Sequence, residues 1–244
     1  MESKSVDQAQ LLYEGKGKKV FQGKQTDEVI LYFKDELTAF NALKKGQFEK
    51  KGEINCKIST VIFKMLKRQN IKTHWLETFA DNQMRVQKTQ IIPLEVVIRN
   101  FAAGSFAQKF KIQDGTAMKY PLVEYYYKND ELKDPFVSEG QIIYFGWCNE
   151  SELEQIKIEA LKINEALVKM FAQKNLQLID FKIEFGKNKS GEIILSDEIS
   201  PDCMRLWDNK TKERLDKDRF RLDLGDVGQG YTRILNDLNS LNIT

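Results

Sequence analysis

Histidine is nearly absent from this 244-residue chain, whose one copy is His74. A catalytic triad built on histidine therefore has a single candidate, and the surrounding THWLETF carries no nucleophile signature. His74 reads as structural. Cysteine is scarce too: Cys56, Cys148 and Cys203 are odd in number, widely spaced and without a CxxC pair, so neither a disulfide framework nor a zinc site is suggested. They read as plain thiols in a reducing compartment. No apolar run approaches the ~18 residues of a membrane span, and MESKSVDQAQ lacks an apolar signal region. The cytoplasm is the expected compartment. Net charge is lacking as well, because 38 Lys+Arg against 36 Asp+Glu leave only +2. That balance argues against a protein built to coat nucleic acid or an anionic membrane. The Walker pattern GxxxxGK[ST] is missing, as are internal repeats, low-complexity blocks and linkers.

What is present is 41% hydrophobic sequence, enough for one large or two modest domains. The chemistry concentrates between Leu178 and Trp207. Alternation there predicts a strand with Ile179, Phe181, Ile183 and Phe185 on one face and Asp180, Lys182 and Glu184 on the other. Ser190-Gly191 is a turn dipeptide, and a two-residue loop there pairs Lys189 with Glu192 and, counting outward, Glu184 with Asp197. Directly opposed residues have Cβ atoms about 4.5–5.5 Å apart, where like charges repel unless a cation sits between them. Mg²⁺, held by one or two carboxylates plus substrate phosphates, would satisfy such a pair and points to nucleotide phosphoryl chemistry. A longer Gly186–Gly191 loop would move the register and leave both carboxylates solvated, and the spacing leaves both readings open.

Other segments are compatible with an anionic ligand. In the turn Gly15-Lys16-Gly17-Lys18 the glycines would let backbone N–H groups approach phosphate oxygens while Lys16 and Lys18 supply charge; an ordinary basic turn reads the same way. Asp35 to Gly52 is polar and aperiodic, a loop region by its pattern. Ile58, Ile62, Met65 and Leu66 recur at helical spacing up to Asn70. After the β-rich run to Arg99, interrupted at Pro93, a glycine turn leads into a short helix with Ser105 as its expected N-cap. Arg99 just ahead of that turn offers a fork for phosphate or carboxylate. Tyr125, Tyr126 and Tyr127 fit a strand with alternating burial better than a stacking platform. Ser151 and Glu154 form a predicted capping box before the stripe Leu153, Ile156, Ala160, Leu167, Met170 and Phe171. Lys217, Arg219 and Arg221 read as a solvated charged face before a terminal helix carrying Ile234, Leu235, Leu238 and Leu241.

Taken together these motifs resemble the SAICAR synthetases of purine biosynthesis. The resemblance rests on LYEGKGKKVF, ELTAFNALKKGQFEKKGEIN, IPLEVVIRNFAAGS, DPFVSE, LIDFKIEFG, LSDEISPDCMRLWD and DKDRFRLDLG, and covers nearly the whole chain. It implies an α+β fold with a smaller β-rich N-terminal domain, 1–85, a larger α+β domain, 86–244, and an ATP cleft between them. It also implies an ATP- and Mg²⁺-dependent ligase that joins carboxyaminoimidazole ribonucleotide (CAIR) to L-aspartate through an acyl phosphate. Its partners would be small molecules and a second copy of the chain, in a homodimer, with no nucleic acid or membrane. Carried over by position, Glu184 and Asp197 resemble the metal carboxylates, and Gly15, Lys16, Gly17 and Lys18 the cover over the ATP phosphates. Arg99, Ser105, Ser200 and Arg205 resemble the substrate contacts, and Lys182, Arg205 and Asp202 the catalytic group. Two other classes compete: a small-molecule kinase, which would not need aspartate, and a nucleic-acid-binding module, which the balanced charge disfavours.

Overall fold

The computed structural model describes residues 9–39 and 43–241. The glycine turn links β1 (Leu11–Glu14) to β2 (Lys18–Gln22), and β3 (Glu28–Phe33) follows with nearly every side chain buried. The segment expected to be a loop instead carries β4 (Glu36–Ala39) and β5 (Lys44–Gln47), paired antiparallel. Among the described residues of this hairpin only Leu37 and Ala39 are buried, an apolar alternation too short to stand out in the sequence. Helix α1 (Lys51–Arg68) buries the predicted Ile58, Ile62, Met65 and Leu66 stripe. With β6 (Trp75–Ala80) and β7 (Gln83–Gln87) the early strands make an antiparallel sheet in the order β1-β2-β3-β7-β6, against which α1 packs.

Beyond this sheet, Pro93, which has no N–H to donate, separates β8 (Gln90–Ile91) from β9 (Leu94–Phe101). Next come α2 (Gly104–Phe110), β10 (Ala117–Tyr127) and β11 (Phe136–Val137), with Tyr125 buried in β10 as the strand reading requires. Helices α3 (Glu139–Tyr144) and α4 (Glu150–Ala172) then lead into β12 (Leu176–Ile183). The capping box of α4 is Asn149 with Glu152, not Ser151 with Glu154; the helix starts two residues earlier because Asn149 accepts from the Glu152 N–H and Glu152 reciprocates. The predicted stripe of α4 is buried, and it faces β12 and β9. Strands β13 (Phe185–Lys187), β14 (Ile193–Leu195) and β15 (Met204–Asp208) precede α5 (Asp218–Arg221) and α6 (Val227–Asn239). Ile234 and Leu238 of α6 are buried as predicted.

The second sheet runs β11-β10-β9-β12-β15, with β12 near its centre, and β14-β13-β8 forms a small sheet beside it. A bulge between Leu178 and Asp180 changes the predicted alternation of β12. Phe181 and Ile183 enter the main core with Leu178, whereas Ile179 packs in a separate cluster with Ala103 and Trp207. An inserted residue resets the two-residue period on one side of it. Asp180, Lys182 and Glu184 keep their common face. The fold is therefore α+β, with two five-stranded antiparallel sheets and helices packed on them. Among the described residues no helix is long and apolar enough to cross a membrane.

Candidate active site

The register of the second sheet builds the first part of the site. Asp180 on β12 is paired with Arg99 on β9 and with Arg205 on β15, so three strands place an acid between two guanidiniums. Arg99 Nη1 donates to Asp180 Oδ2 at 2.8 Å and Arg205 Nη1 to the same oxygen at 2.9 Å. Each arginine is then held from its far side, Arg99 Nε by Glu124 at 2.6 Å and Arg205 Nε by Asp218 at 2.8 Å. Helix α2 closes over them. Gly104 has φ +55°, and a Cβ there would lie 2.5 Å from Arg205 Nη2, so the tight turn needs glycine to approach the guanidinium. The first turn of α2 has Ala103 as its N-cap and no side-chain cap. Ser105 is thus not the cap that the sequence suggested; with the helix starting two residues earlier it lies inside the helix, exposed.

Two residues further along β12, Lys182 donates to Glu95, and two further again lies Glu184, only 2% exposed. The hairpin register is one residue away from the expected one. Phe185 pairs with Leu195 and Lys187 with Ile193, so Glu184 stands opposite Ser196, whose N–H it accepts at 2.9 Å. The reason is Asn188, whose Oδ1 gathers Ser190 N, Ser190 Oγ and Glu192 N into a three-residue loop closed by Gly191 at φ +79°. A slip of one residue would turn Asp197 to the other face. Instead Asp197 adopts φ +109°, a strained conformation for an L residue, and its carboxylate lines the same cavity as that of Glu184.

Lysines surround this acidic pair. Lys18 from β2 donates to Asp197 and, at 2.9 Å, to Glu198, while Lys128 Nζ lies 2.6 Å from Glu184 Oε1. Burial and then the charge of Asp197 push the Glu184 carboxyl up. Burial acts the same way on Asp197, but Lys18, Lys128 and Lys182 outweigh it and hold Asp197 below the usual carboxylate range. No group of three or more His, Cys, Asp or Glu among the described residues is arranged to hold a metal. Two carboxylates with room beside them for phosphate oxygens and water suit Mg²⁺ rather than an all-protein cage.

One cavity of about 840 Å³ joins these groups. Its wall includes Gly15, Lys16, Gly17, Lys18, Arg99, Lys182, Glu184, Asp197, Asp202 and Arg205. Ser105 and Ser200 are not on that wall. Ser200 is fully buried, donating to Glu198 Oε2 at 2.7 Å and accepting from the Asp202 N–H at 3.2 Å, so it shapes the turn that presents both acids. Asp202 is held by Lys51 Nζ at 2.6 Å and by Tyr231 Oη at 2.7 Å. Lys51 is 1% exposed at the start of α1, where the helix dipole disfavours a cation, and Asp202 is the compensation. Lys217 and Arg221, predicted to lie on a solvated face, also line the cavity, because buried Asp216 and Asp218 turn their segment inward.

The comparisons with known proteins bear on the whole of this assembly. The family model described as SAICAR synthetase matches residues 11–238. The chain belongs to the SAICAR synthetase family. A curated phosphoribosylaminoimidazole-succinocarboxamide synthase from Ehrlichia chaffeensis is 48% identical over 97% of this chain and 99% of its own. A crystal structure of the synthase from that organism matches with TM-score 0.93 and 49% identity, covering 95% of this chain and 99% of that one. A SAICAR synthetase solved in complex with ADP matches with TM-score 0.91 and 44% identity, over 93% of this chain and 97% of its own. Membership makes the chain a carbon–nitrogen ligase of purine biosynthesis.

The cavity also contains His74 and Cys203. Burial lowers the His74 imidazole to about 4, so it is neutral at pH 7, and its backbone joins the two halves of the fold by donating to Leu195 O and accepting from Gln87 N. That is the structural role the sequence suggested. Burial pushes the Cys56 and Cys203 thiols up to about 12 and that of Cys148 to about 11. A chromogenic disulfide reagent at pH 8 is therefore expected to react slowly with the native protein and with all three thiols after unfolding. Rapid reaction of one native thiol would contradict the placement of that cysteine.

Proposed function

We propose that the chain forms SAICAR from CAIR and L-aspartate, using ATP and Mg²⁺, and that it does so through an acyl phosphate. The observation that carries this reading is the convergence, in one cavity, of the Arg99–Asp180–Arg205 row with the Glu184 and Asp197 pair and the lysines around it. One end suits an anionic ribonucleotide and the other suits a metal-bound nucleotide.

Lys16 and Lys18, on either side of Gly17, would lie over the ATP phosphates, as Gly15 and Gly17 keep the backbone close to them. Glu184 and Asp197 would hold Mg²⁺, which supplies charge neutralisation of the phosphates when bound. Arg99 and Arg205, oriented by Asp180, would take the CAIR phosphate or carboxylate, with exposed Ser105 beside Gly104 adding a hydroxyl. In the first step a CAIR carboxylate oxygen attacks the γ-phosphorus and the bond to the ADP oxygen breaks. Both partners are anionic, so Lys182 contributes by offsetting charge and by positioning. In the second step the aspartate amine attacks the acyl carbon, the C–N bond forms, phosphate leaves with the carboxyl oxygen, and the amine proton passes to solvent. Burial raises the proton affinity of Asp202, but Lys217, Lys51 and Tyr231 outweigh it and keep the carboxylate ionised. That suits Asp202 to holding the amine in place rather than to removing its proton. Lys217 and Arg221 on the same wall are available for the carboxylates of L-aspartate.

A division near the expected 1–85 and 86–244 is favoured by the first sheet ending with β7, although that strand runs on to Gln87, and by the second sheet starting with β9. We place the reaction in the cytoplasm and expect a homodimer, as in the family resemblance.

The test is ADP release with ATP, Mg²⁺, CAIR and L-aspartate, omitting each in turn and weighing the product. Dependence on all four with a succinocarboxamide product is expected. ADP release that ignores aspartate and leaves a stable phosphorylated product would favour a kinase instead. Arg205→Ala is expected to raise the KM for CAIR on the order of 100-fold, the cost of truncating one partner of a buried charge pair. An unchanged CAIR dependence would remove Arg205 from the substrate contacts.

A further inference from the structure

Resting on the ligase reading above, we propose that Lys128 is a phosphate-binding residue of the cavity, and that in the nucleotide-free protein its ammonium stands at Glu184 in place of the divalent cation. Lys128 Nζ lies 2.6 Å from Glu184 Oε1, and the two side chains differ sharply in exposure, 44% for the lysine against 3% for the acid. The lysine reaches in from the rim to a carboxylate that cannot leave. A buried carboxylate beside a second one is costly without a cation. The neighbouring lysines are committed: Lys18 to Asp197 and Glu198, and Lys182 to Glu95, with its Nζ 4.0 Å from Glu184. Lys128 is the cation in direct contact with Glu184.

Coordination of Mg²⁺ demands a carboxylate oxygen at about 2.0–2.1 Å in near-octahedral geometry, which does not leave the same oxygen to a close ammonium. Ligation by Glu184 thus releases Lys128. The backbone beneath it is fixed: Lys128 N donates to Pro93 O, Asn129 N to Asp134 Oδ1, and Leu132 N to Asn129 Oδ1. Two residues on, Asp130 of the same loop holds Lys16 Nζ at 2.7 Å, so this loop and the glycine turn face each other across the cavity mouth. The freed ammonium therefore moves by side-chain rotation alone, and phosphates arriving under Lys16 and Lys18 enter the same cavity as anions not already paired with a lysine or arginine of its wall. Positive charge stays next to Glu184 before and after the exchange.

The test uses Lys128→Met and Lys128→Arg. Mn²⁺ binding to the nucleotide-free protein is followed by the electron paramagnetic resonance of free Mn²⁺, and binding of a non-hydrolysable ATP analogue with Mg²⁺ by calorimetry. Removal of the competing ammonium is expected to tighten Mn²⁺ binding by about tenfold in Lys128→Met, while the analogue binds about tenfold more weakly. Lys128→Arg retains the competitor and is expected to bind Mn²⁺ as the parent does. Mn²⁺ binding that is unchanged or weaker in Lys128→Met, or analogue binding that is unchanged, overturns the proposal. Should Lys128→Met lose its cooperative melt, Lys128→Gln supplies the same comparison with a polar side chain. Product formation by the parent protein is scored separately, so failure of the ligase reading leaves the Mn²⁺ comparison standing on its own.

Discussion

Asp180→Asn is expected to destabilise the protein by about 3–5 kcal/mol, the range for removing one partner of a buried ion pair. The substitution preserves shape and removes charge, leaving Arg99 at 4% exposure and Arg205 beside it to repel each other across β12. Glu124 and Asp218 still hold the outer nitrogens, which places the expected loss toward the lower end. For a chain of this size the melting temperature should fall by on the order of 10 °C. The CAIR requirement should rise as well, because both forks lose the group that aims them. A melting curve matching the parent would show that the two guanidiniums do not depend on their shared carboxylate.

Asp197→Asn is expected to act on turnover and spare the fold. Loss of one of two metal carboxylates should lower kcat on the order of 10³-fold, comparable with removing a main electrostatic stabiliser of a transition state. Lys18 retains Glu198 at 2.9 Å, and Glu184 loses an acidic neighbour, so the melting temperature should change by only a few degrees. Steady-state turnover over a range of Mg²⁺, read beside a thermal melt, separates the two effects. Near-normal turnover at ordinary Mg²⁺ would remove Asp197 from the metal pair.

The long helices and the face carrying Asp180, Lys182 and Glu184 were legible in the sequence because periodicity reports burial directly. The cross-strand pairing of Glu184 with Asp197 expected from the sequence does not form, since Glu184 stands opposite Ser196, yet both carboxylates line one cavity. Counting outward from Ser190-Gly191 misses the side-chain bonds of Asn188 that lengthen the loop, and it misses the positive φ that returns Asp197 to the cavity. Both are local conformational facts that residue alternation does not encode. Lys51, Lys128, Glu198 and Tyr231 escape the sequence reading because their partners are distant in sequence, and the start of α1 at Lys51 is itself visible only in the structure. The inward turn of Lys217 and Arg221 depends on buried Asp216 and Asp218, which look like any other acids in a mixed charge run.

The row of Arg99, Asp180 and Arg205 also has a consequence for how the protein is made. Its members are separated by 81 and 25 positions, and Lys18 meets Asp197 across 179. Contacts of such long range form only after much loop-closure entropy has been overcome, which slows folding. A nascent chain that has emerged only as far as Lys182 has β9 and β12 but no strand to carry Arg205 and no Asp197 for Lys18. The ligand cavity thus comes into being only with the last fifth of the chain, and substrate that binds it will stabilise the sheet as a whole rather than any early fragment.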